Sequence, residues 1–274
     1  MKLLRTALRP ETAAPMLALA FASAVCLGLV LGRILWTGNI HYGFLIWNLF
    51  LAWLPLVFAL LAQESFQPPP ARNWHFALLA GAWLLFFPNA PYIFTDLGHL
   101  WTHFAAHFWV DLMLILSCAL TGLVLGFLSL FLMQGIVRRI AGETVSWLFV
   151  AAIAGVGGFG VWLGRFLRFN SWDVLFQPVK LYHDIGLETI HPLRPRASAA
   201  FAALFAAFLF ITYLMLYALT RLRHVQPLAL PAGTDSPGAG NPAAALPSGA
   251  VSRQLENTAP AGHFHPACPP SCPP

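Results

Sequence analysis

The chain has 274 residues, 58% of them hydrophobic and 9% charged, with a mean hydropathy of +0.70 and a net charge of +5 at neutral pH. A soluble domain carries about 25% charged residues, so this chain has too few charges to cover a water-exposed surface, and its apolar runs call for lipid as solvent. The basic residues cluster at the ends of apolar runs, where they act as topology signals, and this argues against a nucleic-acid partner.

The amino-terminal segment carries Lys2, Arg5 and Arg9, and an apolar run over 14–32 ends at Arg33. Small-x-small triplets (Ala20-Phe21-Ala22 and Ala22-Ser23-Ala24) would suit signal cleavage. The run is longer than a signal-peptide core, so it reads as an uncleaved first helix. A second span covers 43–62 and contains Pro55, and a linker with Glu64, Pro68, Pro69, Pro70 and Arg72 follows. The third run starts at Trp74 and stops at Pro88. That is about 21 Å of helix, short of a hydrocarbon core of about 30 Å. The Pro88-Asn89-Ala90-Pro91 break is therefore predicted at or just inside the far interface. Non-helical backbone at that depth is tolerated only where protein or a wet cavity covers it.

A fourth span is expected over 108–133, a fifth over 145–164 and a sixth over 197–219, with Arg138, Arg139, Arg221 and Arg223 just beyond their ends. Between the last two, 170–196 mixes charged and apolar residues and reads as a loop with one short interfacial helix. From about Val225 onward the chain is Pro, Ala, Gly and Ser, too poor in apolar bulk to fold. The predicted class is all-α: a polytopic helical membrane protein of about six spans, with a transmembrane domain over 1–224 and a disordered tail over 225–274. With the amino terminus inside, the charge rule fits except for the basic residues in 165–196, of which Arg165 and Arg168 are expected on the outer side. The Asn89-Ala90-Pro91-Tyr92 stretch falls on that same side. Two polar clusters remote in sequence, 88–100 and 164–173, are thus expected to share one face.

Four constellations carry candidate chemistry. Asp96, His99, His103, His107 and Asp111 would share one face if 95–111 is a single helix, at about 100° per residue. His at i and i+4 with carboxylates can chelate a divalent metal, and a solvated polar face of an interfacial helix explains the same pattern. Asp96 and Asp111 stand apart, because an acid at a membrane boundary is costly unless paired. Arg165 and Arg168 are either snorkelling anchors or partners for Asp96, Asp111, Asp173 or an anionic substrate. Asn170 or Ser171 would cap a helix that follows. Gly160 with Gly164, Gly122 with Gly126, and Gly28 with Gly32 form small-xxx-small faces for close packing. Cys26 and Cys118 read as small packing residues. In the tail, His263, His265, Cys268 and Cys272 resemble ligands without a fold to hold them. No Ser-His-Asp signature, HExxH motif or Walker loop occurs.

Pro88-Asn89-Ala90-Pro91-Tyr92, Thr95-Asp96-Leu97, His99-Leu100, Asp111-Leu112 and Leu163-Gly164-Arg165-Phe166, with Arg168 and Asn170-Ser171-Trp172-Asp173, resemble a bacterial membrane-protein family, domain of unknown function 1361. The resemblance spans about residues 20–220. It implies a multi-pass inner-membrane protein and no known activity. It gives weight, as one site, to Asn89, Tyr92, Asp96, His99, Asp111, Arg165, Arg168, Asn170 and Asp173.

The first functional expectation is a site at the periplasmic face that binds or processes an anionic or lipid-linked substrate. Arg165 and Arg168 would hold the anion among Asn89, Tyr92, Thr95, Asn170 and Ser171, while Asp96, His99, Asp111 and Asp173 supply acid–base or orienting groups. The expected partner is the bilayer and its anionic lipids. No metal is assigned, and cofactor and protein partner stay open. The rival expectations are a structural or accessory assembly protein, whose clusters form an ion-pair network, and a small transporter with a broken helix at its binding site.

Overall fold

A computed structural model of the chain describes residues 10–66, 74–102, 107–190 and 194–222; side chains are described at these positions except 10–12, 99, 101–102, 187–190, 194–197 and 221–222. The described residues are all-α. Five helices are long and apolar enough to cross a membrane. The predicted tail, 225–274, lies outside the described residues.

Helix α1, Pro10–Thr37, ends where Gly38 takes a left-handed conformation (φ 65°) and its N–H returns to the Ile34 carbonyl at 2.8 Å. That is the usual glycine stop of a helix. A single 3₁₀ turn, His41–Gly43, leads into α2, Phe44–Ser65. Helix α2 buries Leu45, Leu49, Ala52, Leu56, Ala59 and Leu60, a stripe at helical spacing.

Helix α3, Trp74–Phe86, is short, as expected. The proline break is tighter than expected. Only Phe87 and Pro88 interrupt the helix before α4, Asn89–Tyr92, which runs into a 3₁₀ helix, Ile93–Thr102. The chain stays coiled because both prolines lie in or just before a first helical turn, where an N–H has no intrahelical partner. The Ala90 and Tyr92 N–H groups reach back to the Phe87 and Pro88 carbonyls at 3.2 and 3.1 Å. The depth argument for non-helical backbone therefore reduces to a kink.

The next element, α5, runs Phe108–Phe166, 59 residues, and contains both the expected fourth and fifth spans. Straight, it would be about 88 Å long, nearly three hydrocarbon cores. It folds back at Gly142 (φ 86°, ψ 178°), a backbone conformation that is essentially glycine-only. Trp83 shows the reversal: its indole N–H donates to Ser129 Oγ at 3.1 Å, and its ring stacks on Phe149 at 5.9 Å, on the other side of Gly142. We call the two arms α5a (108–141) and α5b (143–166). The pair of α6, Asp173–Phe176, and α7, Pro178–Ile190, forms the expected interfacial stretch, with Val179 and Tyr182 facing outward. Helix α8, Arg194–Leu222, follows.

The most apolar window of α5 is 67% buried, against 22% for α1 and 17% for α8, so α5 is the hub and α1 and α8 give most of their surface to lipid. One core lies among α1, α2 and α5a around Val30, Leu45, Leu49, Leu56, Ile115 and Cys118. A second lies among α3, α5 and α8 around Trp83, Phe87, Val150, Val161, Leu209 and Tyr213.

Candidate functional site

The α4 stretch is gripped between the two arms of α5 by glycines. A methyl group added at Gly122 would lie 2.8 Å from the Ala90 carbonyl, one at Gly160 would lie 2.5 Å from Pro88 Cγ, and one at Gly164 would lie 3.0 Å from Tyr92 Cε2. Only hydrogen fits at these approaches. Gly28 and Gly32 do not share this role: a methyl group there would meet nothing within 4 Å, because α1 turns that face to its surroundings.

This grip brings the two polar clusters together. Asn89 Nδ2 donates to Ser171 Oγ at 2.8 Å, across 82 residues of sequence. Arg165 Nη1 lies 3.6 Å from Asp96 Oδ1, and Asn48 Nδ2 donates to Asp96 Oδ2 at 2.9 Å. The Asp96 side chain is 2% exposed and that of Arg165 is 26% exposed, so the carboxylate is buried and the guanidinium reaches the surface. Gly98 makes room for it, since a methyl group there would sit 3.1 Å from Arg165 Nη2. Thr95 closes the 3₁₀ start by donating its hydroxyl to the Tyr92 carbonyl at 2.7 Å.

Beyond α5b the backbone takes an unusual path. Arg168 has φ 58°, the left-handed region, at a helix-ending position that glycine normally fills. The Phe169 N–H returns to the Leu163 carbonyl at 3.3 Å and fixes the reversal. Arg168 is exposed and makes no hydrogen bond or ion pair among the described residues. The expected cap is inverted. Trp172 occupies the N-cap position of α6 without a side-chain cap, and Asp173 Oδ2 instead accepts from the Asn170 backbone and side-chain N–H groups at 2.7 and 3.3 Å.

These groups form one end of a cavity of about 1290 Å³ between α2, α3 and α5b, overhung by α6 and α7. Asn48, Asn89, Tyr92, Asp96, Arg165 and Arg168 line its polar end together with Asn170 and Ser171. Its remaining walls are apolar, with Trp47, Leu51, Leu78, Leu85, Phe159 and Leu163 prominent. Ala77 and Gly81 form a low floor on α3.

The other acid and histidine candidates separate. Asp111, in the first turn of α5a, pairs with Arg33 through a two-pronged contact, Nε to Oδ1 at 2.6 Å and Nη2 to Oδ2 at 3.1 Å. The Arg33 guanidinium also lies over the Trp36 and Tyr42 rings, at 5.7 and 5.9 Å. Asp111 does not line the cavity. The shared face from Asp96 to Asp111 does not form, because 93–102 is a 3₁₀ helix and a new helix begins at Phe108. His107 sits at the N-cap of that helix, its ring edge-on to Trp36 at 4.9 Å. The side chain of His99 and all of His103 lie outside the described residues. Among the described residues no three His, Cys, Asp or Glu side chains stand close enough to hold a metal ion.

Sequence reasoning missed Asn48, Trp47 and Arg33. Asn48 is a lone amide in an apolar span, and Arg33, like Arg165, is a basic residue close to the end of a long apolar helix. Both signals were present.

The family model described as Protein of unknown function (DUF1361) matches residues 47–215. The chain belongs to this family. The match runs from Trp47 to Met215 and so contains both polar clusters and every cavity-lining residue except Phe44. No curated protein and no solved structure matches it.

Proposed function

We propose that the chain is a multi-pass protein of a bacterial inner membrane, amino terminus in the cytoplasm, whose periplasmic polar cluster binds or processes an anionic, lipid-linked substrate. The observation that carries this reading is a cavity that combines apolar walls with a cationic end. Such a space suits an amphiphile, with hydrocarbon against Trp47, Leu78 and Phe159 and an anion at Arg165 and Arg168. The orientation follows from charge. The Gly142 turn, with Arg138 and Arg139 beside it, lies at the opposite end of α5b from Arg165, and the basic end is the cytoplasmic one.

Within this reading Asp96 is a positioning residue. At 1% exposure it offers the cavity almost no surface, and it holds Arg165, which lines the cavity, at 3.6 Å. Anion binding is therefore better supported than acid–base chemistry. The test is lipid analysis of purified protein: wild type should carry an anionic lipid that Arg165→Ala loses while remaining folded. One observation favours the accessory reading: Asp96 and Asp111 are each engaged by internal ion pairs. Unchanged lipid with loss of folded Arg165→Ala protein would select it.

A further inference from the structure

We infer that the ligand of this cavity is a phosphodiester lipid with a single negative charge, entering sideways from the bilayer over the Ala77–Gly81 floor, and that Arg168 is the residue that selects it. The inference rests on the amphiphile reading above and names its substrate class.

Charge balance points to the headgroup. The polar end carries two guanidinium groups and one carboxylate, those of Arg165, Arg168 and Asp96. Asp96 compensates Arg165 at 3.6 Å. Asp173, the next nearest acid in sequence, is held by Asn170 and does not line the cavity. Lys180 is turned to the Phe169 ring at 5.7 Å and does not line it either. Among the described residues one positive charge, on Arg168, is left uncompensated. A phosphodiester supplies one negative charge to match it, whereas a phosphate monoester approaches two near neutral pH. The planar guanidinium fork also matches two phosphate oxygens better than a point charge would.

Backbone geometry points to the same residue. A left-handed conformation is unfavourable for arginine and is the natural place for glycine. Here it directs an exposed, unpaired arginine side chain at the cavity rim. Strain kept at a ligand-facing position is a mark of function rather than of folding.

The route of entry follows from α3. Ala77, Gly81 and Ala82 are the smallest residues along that wall, and Leu78 beside them is 63% exposed. A methyl group added at Gly81 would meet nothing within 4 Å, so the groove is open there. An opening at hydrocarbon depth admits an acyl chain and excludes a soluble anion.

The test is native mass spectrometry of the detergent-purified full chain, titrated with phosphatidylglycerol, phosphatidic acid, phosphatidylcholine or inorganic phosphate alone. Two variants separate the parts: Arg168→Gly relieves the backbone while removing the charge, and Gly81→Leu adds bulk to the groove from a Cβ that meets nothing within 4 Å. Wild type should bind one phosphatidylglycerol in preference to phosphatidic acid and phosphatidylcholine. Arg168→Gly should weaken that binding by about tenfold or more, as expected for loss of a charge-assisted contact, and abolish the preference. Gly81→Leu should weaken every lipid alike. Phosphatidylglycerol bound equally well by Arg168→Gly would overturn the inference and leave the amphiphile site standing. So would inorganic phosphate competing at millimolar concentration, or a preference for phosphatidic acid. No lipid bound above the detergent background by wild type would sink both readings.

Discussion

The two-pronged Arg33–Asp111 pair makes a demanding energetic test, because it is an ion pair that joins α1 to α5a beside their shared apolar core. Its side chains are 10% and 7% exposed, so water screens it poorly. Helix α1 gives most of its surface to its surroundings, and its apolar attachment is narrow, with Val30 and Cys26 as its most buried contributions. Removing one partner of a buried pair strands the other charge and costs about 3–5 kcal/mol. Arg33→Met and Asp111→Leu should each lose about that much stability. Joining both substitutions replaces the ion pair by an apolar contact, so the double variant should lose less than the sum by about 2 kcal/mol or more. The measurement is equilibrium unfolding in mixed micelles, titrated with dodecyl sulfate and followed by tryptophan fluorescence and helical circular dichroism. Additive single and double effects, within about 0.5 kcal/mol, would refute the coupling and with it the placement of α1.

Four more expectations can be read in the same assay. Asp96→Leu should cost less than either change at the Arg33–Asp111 pair, about 1–3 kcal/mol, because Arg165 is 26% exposed and partly rehydrates; a larger loss than that of Asp111→Leu would contradict the burial argument. Gly160→Ala places a methyl group 2.5 Å from the rigid Pro88 ring and should cost about 1–3 kcal/mol. Its neighbour Gly155→Ala meets nothing and should be neutral or stabilising by up to about 1 kcal/mol. Gly142→Ala, at φ 86°, should cost about 1–3 kcal/mol and loosen the hairpin of α5.

Apolar runs alone located every long helix, because lipid admits little else. The meeting of the two polar clusters was also legible. In the expected topology Arg165 broke the charge rule on the same side as Asn89, and the Gly160–Gly164 face offered a way to close the gap. The turn at Gly142 was visible only as a basic gap between apolar runs, since φ leaves no trace in hydropathy. The histidine face failed because helical spacing was extended across a 3₁₀ segment, where successive residues turn by about 120°. Asp111 was singled out as an acid that is costly unless paired, with Arg165 or Arg168 as the expected partner; its partner is Arg33, which looked like the plain end of a helix. Applying the charge rule to Arg33 as it was applied to Arg165 would have named it. Asn48 was overlooked because one amide hardly alters the hydropathy of its span.

The account depends on Asn89 and Ser171 standing side by side at the mouth of one cavity. The direct test replaces the four natural cysteines, introduces Asn89→Cys and Ser171→Cys, and oxidises the protein in intact membranes. The two thiols should join nearly completely, and in the reduced protein both should react with a membrane-impermeant reagent added from the periplasmic side. Thiols that stay separate under oxidant, or that label from opposite sides of the membrane, would contradict it.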